Sequence, residues 1–488
     1  MGAAFLLRVL FAVTGRNLHH PDEVFQYLEQ AHRLVFGNGL VPWEFRFGTR
    51  SWIVPFLIAG PLSLTKWLGL DQPALYIPLV KILLCAAATC VVPLAYSGAR
   101  RWVSEDAGRI AAVLATVWYE LIYFSYRPLP DVLSAYVLLA AVVLASGVRW
   151  RGAPLWFGLT VAGAVALRPQ LIPVAGLLFV AAAWRWSRPE RVVAAVTAGC
   201  VMMVAGGIDR LTWGAWFASY INNFVFNVTY GVSAAYGVEG PAWYLVALVI
   251  TSLGTFVMAA VWSLRWRQRL WLPLSVVVVL VSSHSLIAHK EYRFIFASIP
   301  ILLMLVAAVV VLATGQLAAT RARAWRIGAV TGLSLVSVAG AFNLLPFEQR
   351  VYEPVPLFRA DPALDAFVKL SEDPTLTALF VADREWWTSG GYYYLHRDVP
   401  IYFTSDLSAM QAESGTGPAS YASHVLFRGR GLETPEFETT TRIGWVTIRQ
   451  NVTRGPLRIL DQHSRQLPET FVDTAYRPTV RPFLRPPR

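Results

Sequence analysis

Residues 1–32, MGAAFLLRVLFAVTGRNLHHPDEVFQYLEQAH, set an apolar run directly against a polar cluster. Residues 1–14 are apolar apart from Arg8 at mid-run, and no small-residue cleavage site stands out. The stretch therefore reads as a short first transmembrane helix reaching toward Leu18, not as a cleaved signal. His20-Pro21-Asp22-Glu23 follows, with Gln26, Glu29 and His32 at helical spacing. Two carboxylates beside a histidine, where a hydrophobic segment meets water, are costly to place. The group suits a general base held at a lipid surface. It suits equally well a helix start at which Asp caps backbone N–H groups. The rest of the chain separates these readings.

Of 488 residues, 56% are hydrophobic and only 15% are charged, against roughly 25% charged in soluble domains. Mean hydropathy is +0.48. This is the composition of a polytopic membrane protein with a more polar portion attached. Cys85, Cys90 and Cys200 all lie in apolar runs and read as packing residues, without a disulfide or zinc framework. The net charge of +12 invites a nucleic-acid reading. Its distribution argues against one.

A bilayer core needs about 20 apolar residues per helix. After the first helix, runs near 77–98, 107–125, 130–148, 154–167, 171–184, 191–208, 242–264, 270–288, 294–314 and 327–345 qualify, giving about 11 transmembrane helices. The pair at 154–184 is interrupted by Arg168-Pro169, which predicts a tight turn. Trp52 to Leu70 is broken by Pro55, Gly60, Pro61 and Lys66, and reads as interfacial or re-entrant. Arginines then cluster on every second connection: Arg100, Arg101 and Arg109; Arg149 and Arg151; Arg185, Arg188 and Arg191; Arg265, Arg267 and Arg269; Arg321, Arg323 and Arg326. Cytoplasmic loops carry that excess, so most of the basic charge is a topology signal.

This topology puts the remaining polar groups on the opposite, extracytoplasmic face. Asp22 and Glu23 lie in a first outer loop, 15–76. Arg127 and Asp131 form the next outer turn and Arg168 the third. Asp209-Arg210 opens a long outer loop, 209–241, and His289-Lys290-Glu291-Tyr292-Arg293 makes the last short one. Tryptophans such as Trp43, Trp52, Trp213 and Trp243 are expected in an interfacial aromatic belt. Beyond Pro346 the composition changes. Asp361-Pro362 is a helix N-cap followed by proline at the first helical position. Strand-like runs at 379–381, 401–403, 425–427 and 445–448 then predict a small extracytoplasmic α/β domain over 346–488, following a membrane domain over 1–345. The Pro/Arg-rich tail from Arg477 is expected to be poorly ordered.

One-sided charge of this kind suits a sugar carried on a lipid phosphate and an acceptor hydroxyl meeting at the outer surface. Asp22 or Glu23 would take the hydroxyl proton. His289, Lys290, Arg293 and Arg168 are candidates for stabilising the departing phosphate, where arginine is the better bidentate partner. His20, Gln26, Arg127, Asp209 and Glu291 are candidates for acceptor contacts or for supporting those groups. Lys290 and Arg293 also fit simple snorkelling at a helix end, and His289 and Glu291 also fit internal pairing. No nucleotide loop and no metal-ligand spacing occurs, so neither a cofactor nor a metal is expected.

With these residues marked, a resemblance is visible. His20-Pro21-Asp22-Glu23 with Gln26, Glu29, Ala31-His32, Phe36-Gly37, Trp43-Glu44 and Arg50-Ser51 resembles the first luminal loop of the glycosyltransferase family 22 mannosyltransferases, closest to the branch that adds the third mannose of GPI anchors. Arg127-Pro128-Leu129-Pro130, Asp209-Arg210-Leu211-Thr212-Trp213-Gly214, the region from Asn223 to Asn227, and His289-Lys290-Glu291-Tyr292-Arg293-Phe294 extend it in the same order. The resemblance implies a GT-C fold, a lipid-phosphate sugar donor and inversion at the anomeric carbon. It implies Asp22 as the catalytic base, Glu23 shaping the loop and the His289–Arg293 stretch beside the donor phosphate. Asp131 stands where relatives often have Asn.

The resulting expectation is an integral-membrane mannosyltransferase whose partners are membrane lipids, a polyprenyl-phosphate sugar and a glycolipid or glycan acceptor, with no nucleic acid. A composition rich in Ala, Val, Arg and Trp and poor in Lys points to a bacterial plasma membrane rather than the endoplasmic reticulum. The carrier would then be undecaprenyl- or decaprenyl-phosphate. Transfer of another lipid-linked sugar, such as arabinose or glucose, is the competing enzymatic reading. A lipid-linked-glycan flippase is the competing class, but it would show inverted repeats and midplane charges; neither is seen in the sequence.

Overall fold

The computed structural model describes residues 1–15, 17–148, 150–345, 361–382, 389–404, 418–428, 436–453 and 457. Expectations placed on Arg149, on 346–360 and on the tail from Arg477 lie outside the described residues. The apolar runs fall on helix. Pro73–Trp102, Arg188–Trp213, Tyr292–Ala313 and Ala319–Ala341 are each long and apolar enough to cross a membrane. Shorter apolar helices occupy Gly2–Thr14, Ile53–Trp67, Pro130–Ala145, Ala153–Leu167 and Pro169–Ala183. The protein is thus an all-α polytopic membrane protein with a small sheet near its C-terminus.

Local chemistry sets many of the helix boundaries. Ser104 caps Glu105–Val117 by accepting from the Ala107 amide, and Glu105 and Asp106 occupy the first turn, where the helix dipole favours negative charge. Pro130 opens Pro130–Ala145 at a position that has no amide to lose. The expected turn at Arg168-Pro169 is present: Arg168 is extended, and a short 3₁₀ turn at Pro169–Leu171 leads into Ile172–Ala183. The run at 242–264 is broken rather than continuous. Leu253 (φ 49°) and Gly254 (φ 79°) take left-handed conformations that a right-handed helix cannot continue through. Trp243–Ser252 and Thr255–Ser285 are consequently bent by 109°.

The chain divides into two units made of separated stretches. The first comprises Met1–Thr14, Lys81–Arg210 and Asn223–Phe358. At its core lies Ile299–Ala313, which is buried along nearly its whole length. Lipid supplies no hydrophobic drive for helix association, so close packing must do so. Small residues permit it here: a Cβ at Gly98 would meet Met304, and one at Gly158 would meet the Ala194 carbonyl. Arg326, from one of the basic clusters, is tied to Asp106 and to Thr314 Oγ1.

The second unit comprises Gly15–Val80, Leu211–Asn222 and Arg359–Arg488. This differs from the expected partition at residue 345, because the first outer loop groups with the C-terminal residues. Hydrogen bonds across more than 300 positions of sequence explain the grouping. Tyr76 donates to the Tyr393 carbonyl, and the Glu29 carboxylate accepts from the Tyr392 and Tyr393 amides. Trp43, Trp52 and Trp213 are buried in this unit rather than set in a surface belt. Trp52 packs 5.1 Å from the Phe45 ring, and Trp213 lies 5.9 Å from the same ring.

Asp361 caps Pro362–Ser371 as expected, its Oδ1 accepting from the Ala363 amide. The sheet contains β1 Leu379–Ala382, β2 Ile401–Thr404, β3 His424–Arg428, β4 Phe437–Ile443 and β5 Val446–Asn451, in the order β2-β1-β3-β5-β4. β1 pairs in parallel with both β2 and β3, whereas β5 pairs antiparallel to β3 and β4. Four strands match runs marked in the sequence. β4 was missed because it is a largely exposed edge strand whose Thr/Arg-rich sequence lacks apolar alternation. Gly444, at φ 56°, makes the tight turn from β4 to β5.

Candidate active site

The loop carrying Asp22 belongs to the second unit. Glu23–Leu28 form a π-helical turn, in which the Glu29 amide bonds to the Val24 carbonyl, before Glu29–Phe36 continue as α-helix. Gly37 ends that helix at φ 93°, a conformation glycine adopts without a Cβ penalty. Gln26, in the π turn, and Glu29 and His32, in the α-helix after it, do not form the single polar cluster their spacing suggested. Each is sent to a different partner.

Gln26 turns back to Asp22. Its Nε2 donates to Asp22 Oδ1 at 2.7 Å and to Glu44 Oε1 at 2.7 Å. Its Oε1 accepts from Arg50 Nε at 2.8 Å. His20 Nδ1 lies 3.2 Å from the same Asp22 oxygen. Glu23 is buried, and its Oε1 accepts from the His19 and His20 amides at 2.7 and 3.1 Å. The geometry thus gives Asp22 an oriented carboxylate, while Glu23 folds the loop around it.

Glu44 and Arg50 belong to the Trp43-Glu44 and Arg50-Ser51 pairs of the family resemblance, which gives them no site role. A signal was present in a carboxylate embedded among aromatics at Trp43-Glu44-Phe45, which must be paired or neutralised if buried. Burial pushes the Glu44 carboxyl up to about 7, with Asp22 adding to the rise and Arg50 opposing it. The segment bearing both residues is pinned within its unit. Trp213 Nε1 donates to the Arg50 carbonyl, and Asn222 Nδ2 donates to the carbonyls of Phe47 and Gly48.

Glu29 is fully buried and accepts from the amides of Leu40 (2.8 Å), Tyr392 (3.0 Å) and Tyr393 (2.8 Å). Burial nevertheless raises its pKa to about 7. His32 Nε2 lies 2.9 Å from His396 Nδ1, and its Nδ1 lies 3.0 Å from the Asn38 carbonyl. Burial drives the His32 pKa down to about 3, so the ring is a neutral structural link.

Arg168, Arg293 and His289 lie in the first unit and gather around Phe294, the last residue of the His289–Phe294 motif. The Arg168 guanidinium sits 4.6 Å from the Phe294 centroid and the Arg293 guanidinium 5.5 Å from it. The His289 ring lies 5.9 Å away. Such faces attract cations, which helps two guanidiniums share a neighbourhood. Arg168 pairs with Asp131, while Arg293 makes a two-pronged contact with Glu291, from Nε at 2.6 Å and Nη2 at 3.1 Å. His289 Nε2 lies 3.1 Å from Glu291 Oε1 and its Nδ1 lies 3.0 Å from the Gly237 carbonyl. Burial alone would lower the His289 pKa, but these two partners outweigh it and the net shift is upward.

Lys290 is placed differently from its neighbours. Its ammonium faces the carbonyls of Glu239 (2.8 Å), Ile287 (2.5 Å) and Ala288 (3.5 Å). That geometry ties two loops together rather than presenting the charge to a ligand. Arg127 is buried, its guanidinium 4.0 Å from the Tyr123 centroid and 5.0 Å from that of Tyr126. Asp209 and Arg210 do not open a loop: the helix runs on to Trp213, and Asp209 is fully buried within its last turns. Among the described residues, no group of three or more His, Cys, Asp or Glu side chains is arranged to hold a metal.

Comparison with known proteins bears on the family and the fold. The model of the Alg9-like mannosyltransferase family matches residues 3–396. A GPI mannosyltransferase 3 from Trypanosoma brucei brucei is 25% identical over 477 residues, covering 87% of this chain and 81% of the relative. One from Yarrowia lipolytica is 28% identical over 415 residues, covering 82% and 75%. Among solved structures, ArnT from Cupriavidus metallidurans bound to undecaprenyl phosphate superposes with a TM-score of 0.57 at 11% identity, covering 93% of this chain and 98% of that one. At that identity the likeness establishes the shared GT-C fold alone.

Proposed function

Since the chain belongs to the Alg9-like mannosyltransferase family and is therefore a membrane glycosyltransferase, we propose that it transfers mannose from a polyprenyl-phosphate donor to a glycolipid, with inversion, on the extracytoplasmic face. The observation that carries the reading is the Asp22 carboxylate, oriented by the Gln26 amide at the head of a π-helical turn. Unusual helical turns of this kind are frequent at functional sites.

In the proposed reaction the acceptor hydroxyl gives its proton to Asp22 as its oxygen bonds to the anomeric carbon. The bond from that carbon to the phosphate oxygen breaks, and the electron pair leaves with polyprenyl phosphate. A base in hydrogen-bond reach accelerates such a step by about 10²–10⁴. Arg168 and Arg293 are assigned to the donor phosphate, where a guanidinium matches two oxygens at once. His289, its pKa raised by Glu291 and the Gly237 carbonyl against the effect of burial, keeps its positive charge to higher pH than an ordinary imidazole. Glu23 is assigned to folding the loop that carries Asp22, and Lys290 and Arg127 to holding loops and aromatic packing within the first unit. The fold likeness to a protein solved with undecaprenyl phosphate supports a polyprenyl carrier, and the relatives' names support a mannosylated glycolipid as acceptor. The Lys-poor composition supports a bacterial plasma membrane and an undecaprenyl or decaprenyl chain.

The test is transfer by purified protein in nanodiscs, from polyprenyl-phosphate mannose to a panel of mannosyl glycolipids, with arabinose and glucose donors alongside. Mannose transfer that survives EDTA and disappears in Asp22→Asn is expected. Full activity of Asp22→Asn would overturn the mechanism, and transfer only from another sugar donor would overturn the substrate.

A further inference from the structure

We propose that Glu44 is a positioning residue for the base: through the single amide nitrogen of Gln26 it fixes the Asp22 carboxylate, and its charge sets the pH at which Asp22 accepts a proton. The inference rests on the reading of Asp22 as the base and adds to it a second carboxylate.

Geometry carries the argument. A primary amide has two N–H donors and one carbonyl acceptor. Gln26 uses both donors on carboxylates, one on Asp22 Oδ1 and one on Glu44 Oε1, each at 2.7 Å. Its carbonyl is held by Arg50 Nε at 2.8 Å. The amide therefore cannot be reversed. A flip would aim its oxygen at two carboxylates and its N–H₂ at a guanidinium, losing three charge-assisted hydrogen bonds at once. The orientation of Gln26 is thus dictated from both ends, and Asp22 Oδ1 inherits it.

The Glu44 end is itself rigid. The Glu44 carbonyl accepts from the Thr49 amide at 2.8 Å and from Thr49 Oγ1 at 3.3 Å, which closes the turn on itself. Trp213 and Asn222 hold the same turn from outside. A site needs about 0.5 Å precision to be productive, and a carboxylate in this setting supplies it.

The charges work together. Facing Glu44 are Asp22, which disfavours its ionisation, and Arg50, which favours it; His20 lies beyond, on Asp22. Two carboxylates this close ionise in sequence, and the second proton lost belongs to the pair. Burial first, and the neighbouring Asp22 next, hold the Glu44 pKa up to about 7 against the pull of Arg50, so Glu44 gains its charge near neutrality. A charged Glu44 on the same amide nitrogen favours the protonated form of its neighbour Asp22, as any nearby like charge does. Replacing Glu44 by an amide removes that charge and lowers the affinity of Asp22 for a proton.

The experiment measures kcat and KM against pH in nanodiscs, with polyprenyl-phosphate mannose as donor and octyl α-mannoside as acceptor probe. Wild type, Glu44→Gln, Glu44→Asp, Gln26→Leu and the Glu44→Gln/Gln26→Leu pair are compared. The wild-type profile is expected to have a limb near pH 7. In Glu44→Gln that limb should move by about one pH unit or more to the acid side. Its kcat should fall by about 10–100-fold while donor KM changes less than about twofold. Glu44→Asp, which keeps the charge, should keep the neutral limb with a lower kcat. Since Glu44 acts through Gln26, the double variant should lose no more activity than Gln26→Leu alone.

Superimposable wild-type and Glu44→Gln profiles, with Asp22→Asn inactive, would overturn this inference and leave the proposed function standing. An active Asp22→Asn would overturn the function instead. If Glu44→Gln does not purify as a monodisperse species, Glu44→Asp decides: an acid shift of its limb would sink the proposal.

Discussion

Removing the Glu29 carboxylate should loosen the C-terminal residues from the loop that carries Asp22. Glu29 is fully buried, and three backbone amides, Leu40, Tyr392 and Tyr393, depend on it at 2.8–3.0 Å. A buried amide left without an acceptor costs about 1–3 kcal/mol. Glu29→Ala orphans all three, which gives a gross penalty of about 3–9 kcal/mol. Against this stands the cost of keeping a carboxylate charged in the interior. Its pKa rises from 4.5 to about 7, and at about 1.4 kcal/mol per unit that relief is on the order of 3 kcal/mol at neutral pH. The penalty wins, leaving a net loss of about 3 kcal/mol, or roughly 100-fold in the local opening equilibrium.

The sign with pH follows from the direction of the shift. A raised carboxyl pKa means that its stabilising contribution is complete below 4.5 and is lost as pH climbs toward 7. The wild type should therefore lose local stability over that range, whereas Glu29→Gln, which cannot titrate, should not. Pulse proteolysis in nanodiscs, reading cleavage within 361–453 at pH 5 and pH 7.5, measures both effects. Cleavage of Glu29→Ala at the wild-type rate, or parallel pH dependence in wild type and Glu29→Gln, would refute the reasoning.

Three further outcomes are expected. Gly391→Ala should reproduce the Glu29→Ala cleavage pattern more weakly, by about 1–3 kcal/mol; Gly391 sits at φ +59°, and an added Cβ would come within 2.7 Å of Glu29 Oε2. Arg168→Lys should raise donor KM about tenfold with a smaller change in acceptor KM, because an ammonium cannot match two phosphate oxygens; steady-state kinetics over both substrates checks this. His289 keeps its proton to higher pH than an ordinary imidazole, so donor KM should rise as pH climbs past that raised value. The rise should be absent in His289→Gln.

Much of the fold was legible because its signals are local. Apolar length and the Arg168-Pro169 interruption each need only a few neighbouring residues, and the apolar runs fall on helix, apart from the break at Leu253-Gly254. The Asp361-Pro362 cap and four of five strands were legible for the same reason. β4 was not, since an exposed edge strand carries no apolar alternation. Within the site, Asp22 and the His289–Arg293 stretch announced themselves as polar groups placed at cost beside apolar runs. Glu44 and Phe294 did not. A carboxylate in an aromatic turn and a phenylalanine among apolar residues become informative only when their partners are known.

By itself, the sequence determined that this chain is a polytopic membrane protein and carried a recognisable family pattern, because hydropathy and motif spacing are properties of the chain. Tertiary structure decided what the polar residues do. Gln26, Glu29 and His32, close in sequence, have three different partners. It was three-dimensional proximity that joined Glu44 to Asp22 across one amide, committed Lys290 to backbone carbonyls and tied Glu29 to amides more than 360 positions away. Hydrogen bonds are short-ranged and directional, so residues separated along the chain acquire roles only when folding brings them within about 3 Å.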